Sequence, residues 1–177
     1  MKRTRLYDLL LISLFAALMA VCSFISISTP VPFTLQTFAL FTALMTLGGA
    51  GGLAAVMIYI ALGLVGLPVF SSFGAGAGYL MGASGGFIIG FALAAALFLS
   101  LEILFGKGRY KRLIYTASGQ AVIYISGTCW FSFVFGGAES FGAALLLCVI
   151  PYILPDVIKI FLAYLISARL VKIRAHT

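Results

Sequence analysis

Between Asp8 and Glu102 the chain runs for ninety-three residues without a single formally charged side chain. Soluble domains keep roughly a quarter of their residues charged to cover their surface. Here 8% are charged and 63% hydrophobic across 177 residues. Water cannot be the solvent for such a surface, so the chain is read as an integral membrane protein. Soluble enzymes, DNA-binding domains and secreted disulfide scaffolds are excluded. The apolar runs are continuous rather than alternating, which excludes a transmembrane β-barrel and leaves an all-α architecture.

A helix needs about 20 apolar residues to cross the hydrocarbon core. Breakers divide the chain into six segments, expected as six transmembrane helices in one membrane-embedded domain: 6–28, 33–47, 53–67, 87–105, 113–135 and 141–171. Thr29-Pro30-Val31-Pro32, the Gly48–Gly52 run, Gly66-Leu67-Pro68 and Gly136-Gly137 supply the stops, and a Gly- and Ser-rich stretch covers 71–86. The second and third segments are short enough to form a re-entrant hairpin instead. The sixth is too long for one straight crossing, and Pro151 and Pro155 are expected to break it. Basic Met1–Arg5 before an apolar run resembles a signal peptide, but the run continues to about Ser28 without a clear small-x-small cleavage site, so an uncleaved first span is expected.

Ten of the eleven basic residues lie at segment ends: Lys2, Arg3 and Arg5; Lys107, Arg109, Lys111 and Arg112; Arg169, Lys172 and Arg174. An even number of crossings puts all three clusters on one side, the positive-inside pattern, with both termini cytoplasmic. Topology therefore accounts for the net charge of +7, and no nucleic-acid partner is expected. Cys22, Cys129 and Cys148 have no CxxC spacing, and His176 stands alone near the end. No metal or cofactor is expected. No Walker A sequence is present, Gly74-x-Gly76-x-Gly78 is not a dinucleotide fingerprint, and no Ser pairs with a membrane-depth His.

Asp156 and Lys159 do not belong in lipid. Each would cost several kcal/mol facing it alone, and three residues apart on a helix they share a face. One reading is a structural ion pair. The other is a polar anchor for a ligand carrying both hydrogen-bond donors and an acceptor or negative charge. Pro155 favours the anchor, since it places Asp156 in a first helical turn and frees backbone that membranes tolerate where it lines a cavity. Thirteen residues from Arg169, about 20 Å along a helix, put Asp156 in the outer half. Gln36, Tyr124, Ser84 and the loop Gly74–Tyr79, with Gly76 and Gly78, are expected at a similar depth. Together they describe a pocket open to the exterior. Ala16 and Ala20 have small-x-x-x-small spacing, suited to internal packing or to a close helix contact.

Val31-Pro-Phe-Thr-Leu-Gln-Thr37, Gly63-Leu-Val-Gly-Leu-Pro-Val-Phe70, Ser84-Gly-Gly-Phe-Ile-Ile-Gly-Phe91 and Pro155-Asp-Val-Ile-Lys159 resemble the BioY family, in order and over nearly the whole chain. BioY proteins are the biotin-binding S components of energy-coupling factor (ECF) transporters. One departure is Gly82-Ala83-Ser84, where the family's pattern has Pro-Thr before the paired glycines. The resemblance implies a multi-pass protein of a prokaryotic plasma membrane that captures biotin from outside. It implies partners too: a transmembrane coupling subunit and two cytoplasmic ATPases, which would hydrolyse the ATP this chain is not expected to hydrolyse. Ala16 and Ala20 would dock on the coupling subunit. Asp156 would accept from the ureido N–H groups, Lys159 would serve the ureido carbonyl or the carboxylate, and Gln36 and Tyr124 would complete the polar set. Tyr79 and the glycine loop would act as a lid, and Trp130 would pack on the thiophane or sit at the interface. The alternative is a proton-coupled carrier of a small organic acid that titrates Asp156; a membrane-embedded enzyme lacks a visible nucleophile.

Overall fold

The computed structural model describes residues 2–27, 32–135 and 141–175. The breaks expected at 29–31 and 136–137, and His176, lie outside these residues. The chain is almost entirely helical. Helix α1 (Lys2–Phe24) leads into strand β1 (Ser26–Ile27), which pairs antiparallel with β2 (Phe33–Thr34), Ser26 opposite Thr34. Helices α2 (Gln36–Leu47) and α3 (Gly49–Leu64) follow with only Gly48 between them. A 3₁₀ turn at Ser71–Phe73 and the short α4 (Gly76–Leu80) precede α5 (Gly85–Phe105) and α6 (Arg109–Phe135). The last apolar segment is two helices, α7 (Phe141–Cys148) and α8 (Ile153–Ala175), separated by a 3₁₀ turn at Ile150–Tyr152 that contains Pro151.

Among the described residues, three stretches are long and apolar enough to cross a membrane: Leu6–Phe24, Gly85–Phe105 and Ala144–Lys172. Helix α6, at 27 residues, reaches about 40 Å. Helix α2 is different. Its 12 residues make about 18 Å, short of a full crossing. It is buried on nearly every face, from Ala39 through Thr46, because α1, α3 and α8 pack around it. Phe41, Leu40 and Leu44 join Met19 of α1, Val56 and Tyr59 of α3, and Phe98 of α5 in one contiguous core.

Glycine run 48–52 reads as a loop in the sequence, yet only Gly48 leaves helical geometry. Its φ of +81° and ψ of 174° fall where a side chain is rarely tolerated. The other glycines serve close packing. A Cβ on Gly49 would sit 2.6 Å from the Leu99 Cα, and one on Gly52 would sit 2.8 Å from the Leu44 Cα. Helices α2 and α3 therefore fold back on each other as an antiparallel hairpin pressed against α5. The α5–α6 pair is the most extensive helix contact, and Gly86 and Gly90 make it possible. A Cβ on Gly86 would overlap Trp130, and one on Gly90 would lie 3.0 Å from the Ile123 Cα. Small residues four apart let two backbones approach closely, as is usual within membranes.

The basic end of this bundle is closed by one ion pair. Glu102, the only acidic residue of α5, accepts from Arg112 Nη2 at 2.8 Å and Nε at 3.1 Å. Its second oxygen accepts from the Gly49 amide at 2.7 Å, at the start of α3, and Arg112 Nη1 donates to the Met45 carbonyl at 2.7 Å, near the end of α2. A carboxylate at a helix N-terminus and a cation at a C-terminus each satisfy groups the helix leaves open, and both complement its dipole. One pair thus ties the α2–α3 hairpin to the α5–α6 hairpin.

Candidate ligand-binding site

At the other end of the bundle a cavity opens between the N-terminal ends of α2, α5 and α8 and the middle of α6. Its walls carry Phe33, Thr34, Gln36 and Thr37; Ser71, Tyr79 and Ser84; Phe87, Ile88 and Phe91; Gln120, Ile123 and Tyr124; and Cys148, Tyr152, Asp156 and Lys159. Its free interior is about 60 Å³, room for a few waters at ~10–15 Å³ each. Gln120 and Tyr124 lie eight and twelve residues beyond Arg112 on α6, about 12–18 Å from the basic end.

Asp156 falls in the first turn of α8, one residue after Pro155. The carboxylate is buried and accepts three hydrogen bonds: from Lys159 Nζ at 2.8 Å on one oxygen, and from Gln120 Nε2 at 3.0 Å and the Tyr124 hydroxyl at 2.5 Å on the other. An ionised carboxylate has about four acceptor positions, so one remains for a ligand. Lys159 Nζ has three donors. One goes to Asp156, one to the Thr34 carbonyl at 2.6 Å and one to Thr37 Oγ1 at 3.3 Å. The ammonium also lies 3.6 Å from the centre of the Phe33 ring, a cation–π contact. Such complete pairing is what a buried charge needs to offset the loss of water.

Gln36 is also buried on the cavity wall, and its side-chain amide makes one hydrogen bond through each end inside the protein. Oε1 accepts from the Thr34 hydroxyl at 3.0 Å, and Nε2 donates to the Tyr59 hydroxyl, which donates on to the Val69 carbonyl at 3.1 Å. Thr34 Oγ1 in turn accepts from the Gln36 backbone N–H at 3.2 Å, holding the start of α2. Tyr79 shares a hydrogen bond with Ser71 and stacks on Phe70 at 5.1 Å. Phe33 stacks on Tyr152 at 5.3 Å and gives the cavity an aromatic wall.

Of the residues singled out from the sequence, Asp156, Lys159, Gln36, Tyr124, Tyr79 and Ser84 line this one cavity. Gly76 and Gly78 do not. They form the first turn of α4, where an added Cβ would meet nothing within 4 Å, and it is Tyr79 that projects to the cavity wall. Trp130 is likewise absent from the lining. Its indole N–H donates to the Gly82 carbonyl at 3.0 Å and its side chain packs over Gly86, so it anchors the loop before α5. Ala16 is 1% exposed and sits in the core with Met19 and Cys22. The Ala16/Ala20 stripe faces inward, because α1 packs that side on α2 and α3. Ser13 and Ala17, also four apart, are exposed among Leu10, Leu14 and Val21.

Gln120 was missed. It is 6% exposed and, besides its bond to Asp156, its Oε1 is buried with no hydrogen-bond partner among the described residues. The signal was present: Gln120 and Tyr124 are four apart on one face of an otherwise apolar helix. Thr34 and Thr37 are not legible in the sequence because their contacts with Lys159 span more than 120 residues.

The sequence matches the profile of the BioY family over residues 1–176. The chain belongs to the BioY family. A probable biotin transporter BioY of Pyrococcus horikoshii is 38% identical over 162 residues, covering 90% of this chain and 93% of that protein. The biotin transporter BioY of Thermotoga maritima is 37% identical, covering 92% and 95%. The biotin transporter BioY2 of Lactococcus lactis is 32% identical, covering 100% and 97%. The fold is similar to the crystal structure of an S component for biotin from an ECF-type ABC transporter, with a TM-score of 0.85 and 28% identity over 97% of this chain and 94% of that one. Members of the BioY family are transporter components rather than enzymes, which agrees with a cavity whose polar groups bind and orient.

Proposed function

We propose that this chain is the biotin-capturing S component of an ECF transporter, a single membrane-embedded binding domain in a prokaryotic plasma membrane. The observation that carries the reading is the Asp156–Lys159–Gln120–Tyr124 cluster on the wall of an apolar cavity, in a chain of the BioY family. Biotin's bicycle offers two ureido N–H donors and a carbonyl on one edge and an apolar thiophane on the other. The fourth acceptor position of Asp156 and the unpaired Oε1 of Gln120 supply two acceptors for two donors. Lys159 lies 2.8 Å from Asp156, so it serves the same edge of the ligand, the ureido carbonyl, by releasing its longest bond, to Thr37. The tail carboxylate then points toward Ser84 and Tyr79. Phe87, Phe91 and Ile123 receive the thiophane. A cavity of this size widens to admit the ligand, and the Ser71–Tyr79 segment is the cover that moves.

In this reading α1, the short α2 together with the extended β2 before it, α3, α5, α6 and the α7–α8 pair make six passes, α2 being sheathed by its neighbouring helices rather than by lipid, with both termini and all basic clusters cytoplasmic. The site then opens outward. ATP hydrolysis belongs to two cytoplasmic ATPase partners, reached through a transmembrane coupling subunit. The outward face of α1 around Ser13 and Ala17 is the docking face, since small residues there let another helix approach.

Calorimetric titration of biotin into the detergent-purified chain tests the assignment, beside Asp156→Asn and Gln120→Leu. Tight binding by the wild type that is weakened in both variants supports it. A folded wild type that binds no biotin overturns it.

A further inference from the structure

The positive-inside pattern asks only that cations lie on one side of the membrane. It does not ask them to meet. Cations from two distant parts of the sequence nonetheless converge on one cavity of about 400 Å³ between the start of α6 and the end of α8. That volume falls within the roughly 300–1,000 Å³ typical of small-molecule sites. Lys107, Arg109, Arg112 and Lys172 line it, and among the described residues no acidic one does. Arg112 is committed to Glu102 and to the Met45 carbonyl. The other three have no ion pair among the described residues. The Arg109 guanidinium lies 4.7 Å from the centre of the Tyr164 ring, which holds it at the cavity while leaving its donors free. The first-turn amides of α6 add the positive end of a helix dipole at the same place.

We infer that this cavity binds a phosphate group, that of one anionic phospholipid headgroup at the basic face of the protein. The chemistry of the donors fits a phosphodiester: cations converging from two directions, one of them a guanidinium. The surroundings favour a lipid over a free ion. Met45, Ala168 and Val171 form apolar walls, and Val171 continues into the exposed apolar face of α8 with Leu165. Tyr110, next to Arg109, is exposed where aromatic residues mark the membrane–water boundary. Basic pockets between helices at that boundary are a recurrent setting for acidic headgroups.

The test uses the purified full-length chain and native mass spectrometry, with phosphatidylglycerol and phosphatidylcholine of identical acyl chains as probes. The wild type should retain one phosphatidylglycerol in preference to phosphatidylcholine. Lys107→Gln and Lys172→Gln should each weaken that retention about fivefold, as expected for one cation at an acidic surface. Tyr164→Leu, which keeps every charge but removes the ring under Arg109, should weaken it by less. Melting temperatures in phosphatidylcholine nanodiscs identify any variant that fails to fold, and the remaining two then carry the test. Displacement of the lipid by inorganic phosphate at millimolar concentration would assign the site to phosphate from any source; resistance to it would assign the lipid. Equal retention of the two lipids by the wild type would overturn the inference, as would unchanged retention in folded variants. Loss of co-purification with the coupling subunit, without any lipid preference, would also overturn it and give the cavity to an acidic segment of that partner.

Discussion

Gln120 reaches from α6 to α8, donates through Nε2 to Asp156 Oδ2 at 3.0 Å, and leaves its own Oε1 buried without a partner among the described residues. A buried acceptor with nothing to accept costs stability unless a ligand supplies the donor. Gln120→Leu removes that acceptor and one support of Asp156 together. Biotin affinity should fall roughly 10- to 100-fold, the scale of one buried polar contact. The fold should be kept, because the variant relieves an unsatisfied group. Calorimetry gives the first quantity and thermal melting without ligand gives the second.

Asp156 and Lys159 offer a way to separate anchoring from architecture. Removing one member of a buried pair strands the other charge, at a cost of about 3–5 kcal/mol. Asp156→Asn and Lys159→Met should therefore each lower the melting temperature and weaken biotin binding. The double variant should recover much of the stability, since an uncharged pair needs less solvation. It should recover none of the binding. A double variant that binds biotin normally would return the pair to a structural role.

Glu102 and Arg112 should behave differently, because they lie at the far end of the bundle. Glu102→Ala strands the Arg112 guanidinium, on a side chain that is 18% exposed, and removes the acceptor of the Gly49 amide. Partial solvent access reduces the penalty, to about 2–4 kcal/mol. Melting temperature should fall while the biotin affinity of the remaining folded protein stays within about twofold, as distant independent sites allow.

What the sequence discloses follows from how each residue type responds to lipid. Asp156 and Lys159 stand out because an ionised group in an apolar run has few tolerable surroundings. Gln120 carries no charge, so its place beside Tyr124 was visible only as a spacing. Glycines were harder. Gly48 turns the chain, Gly49 and Gly52 permit contact, and Gly76 and Gly78 meet nothing, yet all five look alike in a list of residues. Thr34 and Thr37 meet Lys159 only through tertiary folding. Alanine posed a similar problem on α1: Ala16 and Ala20 repeat at the same interval as Ser13 and Ala17, and only the packing of neighbouring helices decides which pair faces out.

Gly90 tests the tight α5–α6 contact. A Cβ there would lie 2.3 Å from Ser126 Oγ and 3.0 Å from the Ile123 Cα, so the backbone of α6 must shift to admit one. Gly90→Leu should cost at least the 1–3 kcal/mol of ordinary overpacking. It should also displace Ile123 and Tyr124, which lie on the cavity wall. Loss of monodisperse protein on size exclusion, or of biotin binding in whatever remains folded, is the expected result. Normal yield and affinity would show that the two helices have room to separate.

Ala16 and Ala17 are neighbours with opposite surroundings, and the pair discriminates core packing from docking. Ala16 is buried among Met19 and Cys22, so Ala16→Leu inserts three carbons into filled space and should cost about 1–3 kcal/mol. Ala17 is exposed, and Ala17→Leu should change the stability of the isolated chain by no more than about 0.5 kcal/mol. If the outward face of α1 docks on a coupling subunit, the added bulk at Ala17 holds the two helices apart. The Ala17 variant should then bind biotin like the wild type, yet fail to co-purify with the coupling subunit and ATPases. The Ala16 variant should lose thermal stability first and lose assembly only in proportion. An Ala17→Leu protein that assembles and transports normally would move the docking face off α1.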